Sequence, residues 1–289
     1  MHKSTMISIP GASFAPAGGD RDWSSFGPVV AGWTLGMDRH EPLQHATDRE
    51  LGTLLFPARD RVMAPAIEAE GTWEPLESAW LERNLGPGQT FLNVGANVGY
   101  HVARASRLVG PAGRVIAVEP DPVNFAFLLA NLALHDLRNV VPIRCAAGSQ
   151  AADVRLYRAG DNSGDNRLSP FPEASTSVDV RVVRMDALLA GQRIDVALID
   201  TQGWDHEVVA GMTGLFVGGL LPMIVEFVPS WLRDRGVDPV KVVEGFQLLG
   251  YRVGVLEAGL APGLSAEEAV SASDTAERYY ANLELQPES

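Results

Sequence analysis

The first chemistry in this sequence is a pair of glycines followed, twenty residues after the second, by an acid. The stretch Asn93-Val94-Gly95-Ala96-Asn97-Val98-Gly99-Tyr100 grows out of a short apolar run, Phe91–Val94, and Glu119 ends the next such run, Val115–Val118. A glycine-rich turn between a strand and a helix brings backbone close to a ligand and aims the helix N–H groups at it. A carboxylate at the end of the second strand can accept from both hydroxyls of a ribose. The glycine spacing is Gly-x-x-x-Gly, whereas a dinucleotide's pyrophosphate calls for Gly-x-Gly-x-x-Gly. The combination therefore predicts a nucleoside cofactor without a pyrophosphate, S-adenosylmethionine rather than NAD. A nicotinamide-dependent oxidoreductase is further disfavoured because Lys3 and Lys241 are the only lysines and neither follows a tyrosine by four.

More candidate groups lie downstream. Asp200 follows the apolar run Ile194–Ile199 and is expected at the ligand-binding edge of a sheet, orienting the cofactor's amino-acid part or the acceptor. Asp205-His206-Glu207 opens the next helix, and His206 is a candidate general base because histidine titrates near neutral pH. Glu226, on the apolar run Met223–Phe227, is the second base candidate, since a carboxylate there is costly to bury without a partner; a structural pairing with Arg233 is the competing reading. Asp165, Asn166 and Arg167, in the polar loop from Gly160, and Trp204 are candidate acceptor contacts. Asp200, Asp205 and His206 are also metal-ligand types, but they form no distinct acidic cluster, and no metal is expected.

The elements that must position these groups alternate from Thr90 onward. Strands are predicted at Phe91–Val94, Val115–Val118, Val140–Ile143, Ile194–Ile199, Met223–Phe227, Tyr251–Leu256 and Tyr279–Leu285, and helices over 98–108, 122–134 and 240–249. Val154–Tyr157 and Val178–Val183 alternate apolar and polar residues, as half-exposed strands do. Such alternation predicts an open, mostly parallel α/β sheet with helices on both faces. Upstream, a helix is expected from Glu74 to Asn84, with Leu76, Trp80 and Leu81 on one face, while residues 1–70 show weak periodicity. The chain is read as an N-terminal extension, 1–85, on the acceptor side, and a cofactor-binding core, 86–289. Trp23, Phe26, Trp33 and Trp73 of the extension are lid candidates, with plain packing as the competing reading.

Composition narrows the class. With 289 residues, 46% hydrophobic and 20% charged, the chain can bury a full core and is not a disordered polymer. A net charge of −13 argues against nucleic acid as partner, because phosphate contacts need a surplus of Lys and Arg. No apolar run is long enough to span a bilayer, and Met1–Pro10 lacks the pattern of a signal peptide, so a cytoplasmic protein with no membrane partner is expected. The single cysteine, Cys145, excludes an internal disulfide and a thiolate zinc site. Self-association into a homo-oligomer is compatible with the sequence.

Taken together, Leu92–Tyr100, Val118-Glu119-Pro120-Asp121-Pro122 with Asn124 and Asn131, Ile199-Asp200-Thr201-Gln202-Gly203, Val225-Glu226-Phe227, Leu249-Gly250-Tyr251 and Tyr280–Leu283 resemble the FkbM-type S-adenosylmethionine-dependent methyltransferases, over about residues 70–285. The resemblance implies a Rossmann-like class I methyltransferase fold, a seven-stranded sheet with its last strand antiparallel, and methyl transfer to a hydroxyl of a small natural product or sugar. It places the cofactor against Asn93, Gly95, Ala96, Asn97, Gly99, Tyr100, Glu119, Pro120 and Asn124, and the adenine by Ala146 and Ala147. Two positions depart from the family pattern: Asn93 stands where an Asp is usual, and Thr201-Gln202 follows Asp200 where the family often has x-Glu. Loss of charge at position 93 keeps a non-catalytic cofactor-binding protein in view as an alternative, and N-methylation is another.

Overall fold

The computed structural model describes residues 42–275 and 280–288. Its centre is a seven-stranded sheet built from β3 (Thr90–Val94), β4 (Arg114–Val118), β5 (Val140–Ile143), β9 (Val196–Ile199), β10 (Met223–Phe227), β11 (Tyr251–Val255) and β12 (Ala281–Pro287). The spatial order is β11-β12-β10-β9-β3-β4-β5. β12, the last strand, runs antiparallel to both neighbours, and the pairings from β10 to β5 are parallel. The expected α/β architecture is thus present, down to the antiparallel last strand.

The unbroken apolar runs exist because both faces of the sheet are covered. Leu92, Val94, Ala197, Ile199, Met223 and Val225 point to one core. Their alternate neighbours Phe91, Val115, Ala117, Val196, Leu198 and Ile224 point to the other. On this second face lie α2 (Pro75–Asn84), α3 (Tyr100–Val109) and α4 (Pro122–Leu134), through Trp80, Leu81, Val102, Ala105, Val109 and Leu128. Asp121 caps α4 by accepting from the Val123 and Asn124 N–H groups, and Pro122 sits at its first position, where a missing N–H costs nothing.

Three expectations shift. The helix expected from Val98 begins at Tyr100, because Val98 belongs to the glycine turn and Gly99, at φ +95°, occupies the cap; a Cβ there would lie 2.7 Å from Leu128 Cδ1. Leu76 is 44% exposed while Glu77 is buried, so the inner face of α2 is Glu77, Trp80 and Leu81. The two half-exposed strands are longer than their alternating cores, β7 (Ala152–Ala159) and β8 (Ala174–Val183), and form a separate three-stranded sheet with β6 (Ala146–Ala147). The polar stretch after Ala261 contains a helix, Ala266–Ser273, started by a reciprocal Ser265–Glu268 capping box. Trp23, Phe26, Trp33 and Tyr279 lie outside the described residues. Among those described, no helix is long and apolar enough to cross a membrane.

Weak periodicity upstream concealed a hairpin, β1 (Leu43–Asp48) and β2 (Gly52–Pro57), and a helix, α1 (Met63–Glu70). Leu54, Phe56 and Ile67 pack these against Val98, Tyr100, Val123 and Phe127. Asn131 of α4 fixes the attachment. Its Oδ1 accepts the Leu55 N–H at 2.8 Å, and its Nδ2 donates to Leu55 O at 3.0 Å and to Val98 O at 2.8 Å. One buried side chain thus pairs the outer edge of the hairpin and holds the glycine turn. Asn131→Ala would leave these buried backbone groups unpaired, and urea unfolding should show a loss of about 2–4 kcal/mol. A loss below about 0.5 kcal/mol would show that the side chain is not what holds the hairpin.

Candidate functional site

Parallel strands end at one edge of the sheet, where their unpaired backbone groups and the following loops face a ligand. Across this edge stand Glu226 on β10, Asp200 after β9, the glycine turn after β3 and Glu119 after β4, in that spatial order. The turn is drawn tight. The Gly95 and Ala96 N–H groups both donate to Val118 O at 2.9 Å, and the Asp200 N–H donates to Val94 O at 2.9 Å. Gly95 has φ +89°, and a Cβ on it would fall 1.7 Å from the Asp200 carbonyl oxygen. No other residue fits, so Asp200 and the turn lie against each other.

A cleft opens over this edge, lined by Asn93, Gly95, Ala96, Asn97, Tyr100, Glu119, Pro120, Asn124, Ala146, Ala147 and Asp200. Glu119 is 5% exposed; its Oε2 accepts the Asn97 N–H and its Oε1 the Asp121 N–H, both at 2.8 Å. Burial, and then the nearby Asp121 charge, push its carboxyl up to about 8. The loop after β7 is pinned over the cleft: Asn124 Nδ2 donates to Ser163 O at 2.7 Å, and the Ser163 hydroxyl donates to Asp60 Oδ2 at 2.6 Å. Met63 of α1 meets this roof, where Asn97 Nδ2 donates to its sulfur at 3.1 Å.

Acids dominate the other end. Gln202, at φ +55°, donates to Asp200 Oδ1 at 2.6 Å and to Glu226 Oε1 at 3.0 Å. The Asp200 and Glu226 carboxyls are close enough to share a hydrogen bond once one is protonated. Burial, then the Glu74 charge, raise Asp200 to about 6, while the bonds from Gln202 and Glu226 pull it down; burial, then the Asp200 and Asp205 charges, raise Glu226 well above its ordinary value. Arg233 bonds Asp274 instead, so the expected structural partner for Glu226 is engaged elsewhere. Asp205 is not a ligand-facing acid: its carboxylate accepts from Thr201 N, Thr201 Oγ1 and Gly203 N, locking the turn that carries Gln202.

The structure leaves four of the expected residues out of the cleft lining. Gly99 serves the turn and the α3–α4 contact. His206 lines a separate, smaller pocket with Phe227 and Phe246, 3.8 Å from Glu207, and burial lowers its pKa. Trp204 stacks under Arg235 at 4.2 Å. Arg167 is held by both Asp165 oxygens at 2.7 and 2.9 Å and sits between Phe171 and Trp231; Asp165, Asn166 and Trp231 do line the cleft. Tyr100 lines it too, but its hydroxyl is engaged with Asp48, Thr72 and the Trp73 N–H.

A histidine not anticipated from the sequence is in the cleft. His101 Nε2 lies 2.7 Å from Glu74 Oε2, and Nδ1 is buried without a hydrogen-bond partner among the described residues. Burial lowers its pKa to about 4, against the nearby Glu77 and Asp200 charges, which favour the cation. Glu74 caps α2 in the left-handed region, at φ +45°, an uncommon conformation for a non-glycine residue that aims its carboxyl at the histidine. Burial, then the Glu257 charge, raise Glu74 to about 7. The signal in the sequence was faint: one of six histidines, two residues past Gly99, whose partner lies twenty-seven positions upstream.

This much buried acid has a consequence for stability. A carboxyl whose folded pKa is raised holds a proton that the unfolded chain has already lost, so its contribution falls as pH rises towards the folded value. Glu119 and Glu77 near 8, and Glu74 and Asp205 near 7, all act in that direction, whereas neutral His101 opposes it only below about 6.5. The ligand-free protein should therefore lose thermal stability as pH rises from about 6.5 to 8.5. A melting temperature constant or rising across that window would contradict the buried acidic cluster.

Comparison with known proteins identifies the family. The family described as the methyltransferase FkbM domain matches residues 93–253, more than half of the chain. Methyltransferase sdnD of Sordaria araneosa is 26% identical over 199 residues, covering 57% of this chain and 76% of that protein. The 31-O-demethyl-FK506 methyltransferase FkbM of Streptomyces tacrolimicus is 28% identical over 160 residues, 44% of this chain and 61% of that protein, so the match spans less than two thirds of its length. Among solved structures, a methyltransferase FkbM from Methylobacillus flagellatus superposes with a TM-score of 0.45 at 12% identity, over 72% of this chain and 50% of that one. Aeropyrum pernix fibrillarin, solved with S-adenosylmethionine bound, superposes with a TM-score of 0.42 at 17% identity, over 73% and 74%. The chain belongs to the FkbM methyltransferase family, an S-adenosylmethionine-dependent methyltransferase with a Rossmann-like fold.

Proposed function

We propose that this protein methylates a hydroxyl group of a small molecule, a sugar or another natural product, with His101 taking the hydroxyl proton. The observation that carries the reading is the Glu74–His101 pair in the cleft. With Glu74 ionised, His101 Nε2 carries the hydrogen and donates it to Glu74, which leaves Nδ1 with a lone pair and no partner. A neutral imidazole oriented by a carboxylate is a general base of ordinary kind. A hydroxyl needs one, because it keeps its proton at neutral pH. Support also comes from the Streptomyces tacrolimicus relative, whose name gives an O-demethyl acceptor.

The described residues fit the cofactor. Asn97 Oδ1 and Asn124 Oδ1, and the Asn166 amide nitrogen, are buried without hydrogen-bond partners among the described residues and border the cleft. Orphaned groups of that kind are costly unless a ligand satisfies them. In this reading Glu119 takes the ribose hydroxyls with the lone pairs its two N–H partners leave free. Asn93, Gly95, Ala96, Asn97, Pro120 and Asn124 bound the nucleoside, Ala146 and Ala147 flank the base, and Asp200 and Glu226 face the methionine part. S-adenosylmethionine supplies an electrophilic methyl group when bound. The chain's own contribution is then alignment, exclusion of water and removal of one proton. Met63, Trp73 and Glu74 line the cleft from within residues 1–85, which supports reading that segment as part of the acceptor side.

Two measurements check these assignments. Glu119→Ala should weaken S-adenosylmethionine binding by about 1.5–3 kcal/mol in calorimetric titration, the scale of hydrogen bonds to a charged group; unchanged affinity would remove Glu119 from the ribose. Radiolabelled methyl transfer to a panel of hydroxyl and amine acceptors, read by mass spectrometry, should yield O-methyl products. His101→Asn should then lower kcat about 10²–10⁴-fold without changing cofactor affinity. Exclusive N-methyl products would overturn the hydroxyl reading, and a loss below about tenfold would remove His101 as base.

A further inference from the structure

The methionine end of the cleft has more acid than its own partners account for. Asp200 and Glu226 stand side by side with Gln202 as shared donor, and Glu226, 8% exposed, has its second oxygen buried with no donor among the described residues. The charged and titratable groups whose fields act on the pair are Glu74 from α2, His101 from α3 and Asp205 at the start of the helix after β9. None of them is a cation at neutral pH. Among the described residues lining the cleft there is no lysine or arginine. Arg235 donates to Gly203 O and stacks on Trp204, outside the cleft lining.

From the proposed placement of the cofactor at the glycine turn, on which this inference rests, we infer that the Asp200–Glu226 pair distinguishes the methyl donor from its demethylated product by charge. Ordered along the strand ends, Glu119 marks the nucleoside end, and Asp200, in contact with Gly95, marks where the sulfur side begins. The donor carries a sulfonium and an ammonium; the product keeps the ammonium but has a neutral thioether. Two adjacent buried carboxylates cannot both ionise without a nearby cation, so the empty pair holds one proton. The sulfonium replaces that proton, which leaves to solvent. Once the methyl group has gone, the positive charge on sulfur is lost, the pair takes a proton back, and the attraction that held the donor is lost with it. The pair so acts in specificity and in product release, and the uncharged Asn93 fits this scheme: an acid there would add a further unpaired charge.

Calorimetric titration of the purified full chain tests this without an acceptor. The ligands are S-adenosylmethionine, S-adenosylhomocysteine and sinefungin, which has an amine in place of the sulfonium centre. At pH about 8 the two cationic ligands should bind at least about tenfold more tightly than the thioether. The preference should shrink towards pH 6, as protons compete for the pair. Paired titrations in buffers of different ionisation enthalpy should show more proton release with S-adenosylmethionine than with S-adenosylhomocysteine. Glu226→Gln and Asp200→Asn should each reduce the preference to about threefold or less, with the cationic ligands losing more affinity than S-adenosylhomocysteine. Equal affinities in the wild type, tighter thioether binding, or a preference untouched by the variants would overturn the proposal. Should one variant fail to fold by circular dichroism, the wild-type pH dependence and the other variant decide. Failure of all three ligands to bind would remove the cofactor placement itself, an outcome distinct from equal binding, which removes only the discrimination by charge.

Discussion

The cleft depends on how closely the chain at Gly95 passes the carbonyl of Asp200. A single added carbon would overlap that oxygen. Because glycine has none, β3 can turn directly over the end of β9, and three consequences follow together. Gly95 and Ala96 reach Val118 O and tie the turn to β4. The Asn97 N–H is brought to Glu119. Asp200 is held beside the turn, with Gln202 and Glu226 behind it. The Glu119 end and the Asp200–Glu226 end of the cleft are therefore one rigid piece of backbone, supported by covered parallel strands.

Around that edge, burial sets the chemistry more than residue identity does. Glu119, Glu74, Asp200 and Glu226 are ordinary carboxyls whose proton affinity is raised because water is excluded and other acids are near. The same desolvation acts oppositely on His101 and keeps it neutral. An enclosure that raises the proton affinity of its acids and keeps an imidazole neutral suits a reaction in which a cation arrives and a proton must leave. Stability is given up for it, since raised carboxyls and unpaired amide groups each oppose folding in the empty protein. The apolar cores on both faces of the sheet and the Asn131 clasp supply the compensating rigidity.

The N-terminal hairpin and α1 belong to the same design. They contribute Met63 to the roof of the cleft, and the connection onward to α2 contributes Trp73 and Glu74. The loop from β7 meets them through Ser163 and Asp60. Two segments far apart in sequence thus meet over the Glu119 end of the cleft, while Trp231, set by its stack with Arg167, borders the cleft as well.

Much of this was written locally. Covered parallel strands need runs of apolar residues, a tight strand-to-helix turn needs glycine, and helix starts need caps, so β3 to β5, α4, β10, the glycine turn and the acid at the end of β4 could be read directly. Residues 43–70 could not, because a hairpin and a short helix that rest on other elements carry little periodicity of their own. The Glu74–His101 pair was missed for a related reason. His206 stood next to acids in sequence, yet a helix start turned it into a separate pocket, while His101 gained Glu74 only when α2 and α3 packed together. Arg233 likewise found Asp274 rather than Glu226. Sequence by itself determined the strand order's raw material, the glycine turn and the cofactor class, since these rest on backbone geometry within a few residues. Tertiary structure alone decided which titratable groups share the cleft and how tightly they hold their protons, because both depend on distance and solvent exclusion between segments that only packing brings together.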